Sequence, residues 1–407
     1  MSGLRAYASY RDEARETFTR IPEHWGVVRG RHLVRIRTGS GDTVDAEPDG
    51  EFPFYVRSDK PVMSHRWEFD TTAVLTAGDG AGVAKVFHLV TGRFMAHQRV
   101  YVLDEFRRVT PQFFYYAFSN LFHLMALDGS AKSTVDSVRR PMIADMPFAV
   151  PPLGEQRAIA DYLDRETARI DTLIEEQQHL IEMLRERRTA VVAHATSRGA
   201  QVEFRRIIAA LRQGWSPNCE SWPADGVAEW GVLKVGCSNT GRFDAAENKR
   251  LPDDETPRPE FAVRRGEIVM SRSNTKELVG AAAVVQGDYP RLLLSDLTYG
   301  ISLAADADPA FVAYALASPA TRVQISAASK GMSHSMQKIS QRDIRELRVR
   351  MPALDEQRRI ATYLDEQTAK IDTLITETER FIDLSKERRS ALITAAVTGQ
   401  IDVRRVA

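Results

Sequence analysis

The chain has 407 residues, 43% of them hydrophobic, which is enough for two domains with connecting elements. Its 55 basic and 55 acidic side chains cancel, so only local patches, not the whole surface, could bind nucleic acid through charge. The sequence has no apolar run near the roughly 20 residues that cross a bilayer, and residues 1–20 lack the apolar stretch of a signal peptide. We therefore expect a cytoplasmic protein without a membrane partner.

Residues 1–152 predict a first mixed α/β domain. Short β-like runs at 73–76, 85–87 and 97–102 alternate with turns, the clearest of which is Gly78-Asp79-Gly80. A helix is predicted over 111–127, and a small polar loop follows it at 129–134.

An internal repeat comes next and is the strongest signal in the sequence. The segment that begins at Glu155 recurs at Glu356, an offset of 201 residues, and 15 of the 20 positions from Glu155 to Ile174 are identical. Chance would give about one match at average residue frequencies. Because the period is about half the chain, it indicates a duplicated two-domain unit and not a solenoid.

Both copies, 153–200 and 353–407, are predicted to form long helices. Apolar residues recur at spacings of three and four, as in a coiled-coil seam, and Gly199 and Gly399 supply stop signals. The predicted spacer residues are Ile170, Leu173, Ile174, Leu180, Ile181, Leu184, Ile371, Leu374, Ile375, Phe381 and Ile382.

We expect these two helices to pack on each other in antiparallel fashion, which would place the intervening domains at opposite ends. The alternative is that each helix only caps its own domain. The register is left open, because polar residues fall near core positions, namely Gln177, Arg187, Thr378 and Arg388.

Residues 201–352 predict the second α/β domain, with little obvious sequence in common with the first. It has β-like runs at 267–270, 280–285, 292–294 and 299–301, a helix over 309–317 and a polar loop at 330–335. The expected fold class is therefore α+β, with two α/β domains separated by two long helices in a pseudo-twofold arrangement.

Catalytic and metal-binding motifs are missing from the sequence. Gly78, Gly80 and Gly82 have the wrong spacing for a dinucleotide fingerprint and fit a hairpin turn better. Cys219 and Cys237 form no Cys-x-x-Cys pair, and the sequence shows no metal-binding His pair or nucleophile elbow. We predict a non-catalytic protein with no metal or cofactor of its own.

The repeat resembles the specificity subunits of type I restriction-modification enzymes. The residues that carry the resemblance are Pro151-Pro152-Leu153-Gly154-Glu155-Gln156, Pro352-Ala353-Leu354-Asp355-Glu356-Gln357 and the Ile-Ala-x-Tyr-Leu-Asp and Ile-Asp-Thr-Leu-Ile tracts after each. Ile21-Pro22-Glu23-His24-Trp25 and Val397-Thr398-Gly399-Gln400-Ile401 also resemble segments of that family. A small departure is Ala353, where the first copy has a second proline.

The resemblance implies two target recognition domains held apart by an antiparallel pair of helices. Each domain would read one half of a bipartite sequence in double-stranded DNA. The helices would act as a ruler, so that their length sets the number of unspecified base pairs, and as the dock for two methyltransferase subunits. Those partners bind S-adenosylmethionine and methylate adenine, and a motor-nuclease subunit that uses ATP and Mg²⁺ can join them.

Base reading requires hydrogen-bonding side chains on exposed loops, and the sequence offers two groups of candidates. The first domain contributes His97, Gln98, Arg99, Lys132, Ser133 and Thr134. The second contributes Arg272, Ser273, Asn274, Thr275, Lys276, Lys330, Ser333 and His334. For any single one of them, an ordinary surface role is the alternative.

The alternatives to this function are a coiled-coil scaffold and an enzyme. A coiled-coil scaffold without a DNA role would show no dependence on DNA and no binding to a methyltransferase. An enzyme would need an active site, and the sequence offers none.

Overall fold

The computed structural model describes residues 5–126, 137–331 and 336–405. The chain divides into two compact units. Unit 1 is Met1–Gln178 with Arg380–Ala407, and unit 2 is His179–Glu379. The division falls inside the two long helices, α3 (Leu153–Ala195) and α7 (Leu354–Val397), so each unit contains one α/β domain and one half of each helix.

Unit 1 is built on a mixed sheet with the strand order β4-β9-β7-β8-β5-β6. Its strands are β1 (Tyr10–Asp12), β2 (Arg20–Pro22), β3 (Gly26–Arg29), β4 (Arg35–Thr38), β5 (Phe52–Tyr55), β6 (Val62–Ser64), β7 (Phe69–Ala77), β8 (Phe87–Ala96), β9 (Val100–Asp104) and β10 (Pro147–Val150). Its helices besides the long ones are α1 (Pro111–Ala126) and α2 (Arg140–Asp145).

Helix α1 packs its aromatic face into the core of unit 1. Phe114, Phe118 and Phe122 are fully buried at intervals of four, which places them on one side of the helix, and Phe113 is buried beside them. Burial of one such ring contributes about 1.5–3 kcal/mol, so the four rings together stabilise the core of unit 1.

Unit 2 has an antiparallel sheet with the strand order β12-β19-β15-β17 and a second sheet ordered β14-β13-β18. Its strands are β11 (Ala200–Glu203), β12 (Ile208–Gln213), β13 (Gly231–Leu233), β14 (Asn248–Arg250), β15 (Ile268–Ser271), β16 (Ser273–Asn274), β17 (Ala282–Val284), β18 (Leu292–Leu293), β19 (Thr298–Leu303), β20 (Gln337–Lys338) and β21 (Arg348–Met351). Its helices are α4 (Pro309–Ala317), α5 (Pro319–Ala328) and α6 (Gln341–Glu346).

The halves of α3 and α7 pair in antiparallel fashion within each unit, as the sequence predicted. In unit 1, Arg389 Nε lies 2.9 Å from Asp171 Oδ1. In unit 2, Arg188 Nε lies 3.1 Å from Asp372 Oδ1. The two ion pairs are the same pair in the two copies, because both residues shift by 201 positions. The helices also pack on the domain cores, for example through Leu163 and Leu364.

Part of the predicted seam is wrong. Leu374 and Phe381 are 48% and 43% exposed, and their counterparts Leu173 and Leu180 are only half-buried. Each of them precedes an isoleucine, and neighbouring residues of a helix point about 100° apart, so only one of the two can face the partner helix.

The structure assigns the seam to the second member of each such pair. Along α7 the buried or half-buried positions include Leu364, Thr368, Ile371, Ile375, Thr378, Ile382 and Ser385, which alternate at intervals of four and three. Along α3 they include Ile170, Ile174, Ile181 and Leu184. Thr378 is tolerated there because its hydroxyl donates to the Leu374 carbonyl at 2.7 Å.

A buried glutamine ties each long helix to its domain. Gln156 Nε2 donates to the carbonyls of Arg108 and Pro151 at 2.9 and 2.8 Å, and its Oε1 accepts from Thr110 N at 2.7 Å. The side chain is fully buried, so these bonds are sheltered from water.

Gln357 makes the corresponding bonds in unit 2. Its Nε2 donates to the carbonyls of Asp306 and Pro352, and its Oε1 accepts from Asp308 N at 2.8 Å. The glutamine of the repeated Glu-Gln-Arg tract therefore binds the backbone just before α1 in one unit and just before α4 in the other.

The two segments near the ends of the chain that resemble the family meet in unit 1. Trp25 is buried, and its indole N–H donates to Glu155 Oε1 at 3.2 Å. Gly399 has φ +73°, and a Cβ there would lie 2.3 Å from Pro22 Cδ. Next to the second segment, Asp402 N donates to the Arg5 carbonyl at 2.7 Å in an isolated β-bridge.

Unit 2 contains a cleft of about 900 Å³ beside the Arg188–Asp372 pair. Ala313, the fifth residue of α4, lines it. The fifth residue of α1 is Tyr115, whose burial raises its pKa beside Arg389 and Asp171. A small residue where unit 1 has an aromatic ring therefore accounts for part of this cleft.

Replacement of Gln156 by leucine is expected to lower the free energy of unfolding by about 2–4 kcal/mol, because one N–H and two carbonyls lose their buried partner. Chemical denaturation followed by circular dichroism measures the change. Gln178→Leu, the same substitution at an exposed position of α3, is the matched control and should change stability by less than about 0.5 kcal/mol. Equal stabilities of the two variants would contradict the assignment.

Candidate nucleic-acid interface

The polar loops of unit 1 meet at the end of β7. Gly78 N donates to the Arg99 carbonyl at 2.7 Å, and Val138 N donates to the Gly78 carbonyl at 2.8 Å. The Tyr101 hydroxyl donates to the Val138 carbonyl at 3.2 Å. These bonds hold together three segments that are distant in the sequence.

The same framework occurs in unit 2 at the end of β15. Arg272 N donates to the Leu297 carbonyl at 2.8 Å, and Ile339 N donates to the Arg272 carbonyl at 3.0 Å. The Tyr299 hydroxyl donates to the Ile339 carbonyl at 3.1 Å. Two domains with little sequence in common thus join their loops in the same way.

Unit 1 places two arginines on one carboxylate at this junction. Arg57 lies 2.9 Å from Asp79 Oδ1, and Arg99 pairs with Oδ2 of the same residue. Asp79 is nearly buried, whereas the two guanidinium groups are exposed. The carboxylate of Asp79 is thus shared between two guanidinium groups.

Burial of the Asp79 carboxyl opposes its ionisation, but the hydrogen bonds from Arg99 and Arg57 outweigh burial and hold its pKa below the usual 3.8. A lowered folded-state pKa stabilises the fold above pH 3.8, and that stabilisation is lost as the pH falls through the folded value.

His97 was a candidate for base contact, but it lies inside unit 1. It is 4% exposed, its ring stacks near Phe54, and its Nδ1 accepts from Arg99 N at 3.1 Å. Burial, helped by Arg57, lowers the pKa of its imidazole, so the ring is neutral at pH 7. His97 therefore shapes the turn, while its neighbours Gln98 and Arg99 are exposed.

Several candidates in unit 2 build the loop that carries them. Arg272 donates from its guanidinium to the Asp296 carbonyl at 2.9 Å, and Asn274 donates to Asn239 Oδ1 at 3.0 Å. Ser273 is buried, and Thr275 is half-buried. Lys276 and Lys330 are the exposed ones.

Five of the candidates lie outside the described residues. They are Lys132, Ser133, Thr134, Ser333 and His334.

Sequence reasoning missed two cations at these junctions, Arg57 and Lys338. Arg57 reaches the site through its ion pair with Asp79, and Lys338 pairs with Ser273 across β16 and β20. Both partners are remote in the sequence, so no local pattern could have identified these cations.

Within residues 5–126, 137–331 and 336–405, no cluster of three or more His, Cys, Asp or Glu residues is arranged to hold a metal ion. Over the same stretches, no helix has the length and apolar character of a membrane span. Burial raises the pKa of the Cys237 thiol to about 12, so this group is protonated at neutral pH.

These features define a duplicated α+β protein that presents two different sets of polar loops on one framework. Residues 22–183 match the family described as the type I restriction modification DNA specificity domain. The chain is 30% identical to the specificity subunit of the type I restriction enzyme EcoDI from Escherichia coli over 186 residues, 46% of this chain and 41% of that protein. It is also 30% identical to the EcoEI specificity subunit from Escherichia coli over 161 residues, 39% of this chain and 27% of that protein.

The aligned regions thus span less than half the length of these two relatives. A chain from a structure concerning complex assembly and conformational transition of the type I R-M system superposes with a TM-score of 0.71 at 15% identity, covering 93% of this chain and 99% of that one. That likeness confirms the expected fold. Residues 22–183 are thus similar to the type I restriction-modification specificity subunits.

The Asp79 pKa can be tested by NMR titration of the side-chain carboxyl. The midpoint is expected below 3.8 in the wild type and higher in Arg99→Gln, which removes one of the two hydrogen bonds. Arg93→Gln is the control, since Arg93 pairs with Asp70 instead. A midpoint that does not move in Arg99→Gln would contradict the role of this ion pair.

Proposed function

We propose that the protein is the DNA-sequence-specificity subunit of a type I restriction-modification system. It reads a bipartite site in double-stranded DNA, one half with the loops of each unit, and it makes or breaks no covalent bond itself. S-adenosylmethionine, ATP and Mg²⁺ are bound by its partner subunits, and the complex works in the cytoplasm.

The observation that carries this proposal is the pair of matching loop frameworks with unlike side chains. Beside this framework unit 1 exposes Gln98, Arg99 and Arg57, whereas unit 2 exposes Lys276, Lys330 and Lys338. Sequence is read by side chains that reach base edges, so two readers of different half-sites need equivalent backbones and different side chains. A scaffold without a DNA role gives no reason for this difference.

The helices support a partner role as well. Leu374, Phe381 and Leu384 recur at intervals of seven and three, so they share one face of α7, and each is more than 40% exposed. Leu173, Leu180 and Met183 occupy the corresponding positions of α3. Apolar side chains that remain exposed in a row indicate a surface for another protein.

We assign this exposed row to the docking of adenine methyltransferase subunits. Because the row occurs once on each helix, it fits two such subunits. The addition of motor-nuclease subunits would follow from the same assembly. The ruler role of the helices is part of this proposal, and it is supported by the continuity of α3 and α7 over 43 and 44 residues.

DNA reading can be tested by co-expression with the cognate methyltransferase and mapping of methylated adenine in the host genome. The wild type is expected to give one interrupted motif. Gln98→Ala with Arg99→Ala should relax one half of that motif and leave the other unchanged, since each unit reads its own half. Arg93→Ala, an exposed arginine of β8, is the control. Loss of specificity in both halves at once would contradict separate readers.

Docking can be tested with Leu374→Glu and Leu384→Glu, which should weaken methyltransferase binding by about tenfold or more, since a charge enters an apolar contact. Isothermal titration calorimetry measures the affinity. Val323→Glu provides the control, because Val323 is 69% exposed on α5 and lies outside the row. If all three variants bind alike, the row is not the dock.

A further inference from the structure

Two lysines of unit 2 lie directly opposite each other in a β-bridge. Lys330 N donates to the Lys338 carbonyl and Lys338 N donates to the Lys330 carbonyl, both at 2.9 Å. Residues that exchange both bonds in an antiparallel pair project their side chains from the same face. Both lysines are exposed, so two ammonium groups share one patch of surface.

This arrangement costs stability in the free protein. Like charges directly opposite on an antiparallel pair destabilise it. In the part of the chain that the structure describes, neither ammonium has a carboxylate within ion-pair distance, although 33 such contacts occur elsewhere. Among these residues, no direct ion pair therefore offsets the repulsion.

The pair is held in place by the loop framework of unit 2. Lys338 pairs on its other side with Ser273, the residue after Arg272. Glycine is required at position 331, where the chain passes close to Met336, because a Cβ there would lie 2.3 Å from the Met336 carbonyl oxygen. The two lysines are therefore fixed beside the candidate DNA-reading loop.

We propose that Lys330 and Lys338 together bind one backbone phosphodiester of the DNA duplex. This inference rests on the proposed function and refines it. An ammonium group is a compact point charge that suits a phosphate, and phosphate contacts set position and affinity without reading sequence. A phosphodiester between the two ammonium groups would relieve their repulsion. Lys330 and Lys338 then position the duplex, and other side chains contact the bases.

The test uses the complex with its methyltransferase subunits and measures the dissociation constant for a target duplex and a scrambled duplex across salt concentrations. The variants are Lys330→Gln, Lys338→Gln and the double variant, with Lys249→Gln as the control at an exposed lysine of β14. The double variant should lower the slope of log affinity against log salt by about 0.9, the loss of one phosphate contact. Both duplexes should weaken by the same factor, and the methylated motif should stay unchanged.

The free protein supplies a second readout. Because the substitution removes a repulsion, the melting temperature of Lys338→Gln should equal or exceed that of the wild type. A lower melting temperature would mean that the lysine stabilises the fold, and it would overturn the proposal. A wild-type slope in the double variant, a slope change near 1.8 or an altered motif would overturn it too.

The outcomes separate this inference from the function on which it rests. If the wild-type complex binds no duplex, the DNA-specificity function fails. If the wild type binds and methylates its target and the lysine variants behave like Lys249→Gln, only the phosphate contact fails.

Discussion

A few side chains that form hydrogen bonds only with main-chain atoms connect the long helices and the loops to each domain. Gln156 bonds three main-chain atoms in unit 1, and Gln357 bonds three main-chain atoms in unit 2. Tyr101 and Tyr299 likewise donate to main-chain carbonyls. A bond to a backbone atom is indifferent to the side chain of that residue. One repeat can therefore carry two domains whose sequences differ almost everywhere else.

Much of this architecture could be predicted because the helices follow from patterns among residues that are close in the sequence. The repeat gave both long helices, and their observed bounds, Leu153–Ala195 and Leu354–Val397, lie inside the predicted segments. Helix α4 has the predicted bounds, and α1 is described to Ala126, one residue short of the prediction. Periodicity failed where two apolar residues are adjacent, as at Leu374 and Ile375, because pattern alone does not say which of them faces the seam.

The candidate interface was harder to predict, because its parts come together only in the fold. Arg57 and Asp79 are 22 residues apart, and Arg272 and Ile339 are 67 residues apart. His97 was predicted as a DNA contact on an exposed loop, but a buried position and the bond from Arg99 N give it a role inside the domain. Residue type indicates which chemistry is available, whereas burial decides where that chemistry can be used.

Because the chain has no net charge, the local clusters of cations matter most for the proposed DNA binding. With 55 basic and 55 acidic residues, the chain has no overall charge to attract DNA, so the proposed DNA binding depends on places where cations lack a carboxylate of their own. In unit 1 two arginines share the carboxylate of Asp79, and in unit 2 Lys330 lies opposite Lys338. Both places adjoin the loops of the candidate readers. Positive charge confined to these places would keep DNA from binding elsewhere on the surface. A protein that recognises one DNA sequence must bind other sequences much more weakly.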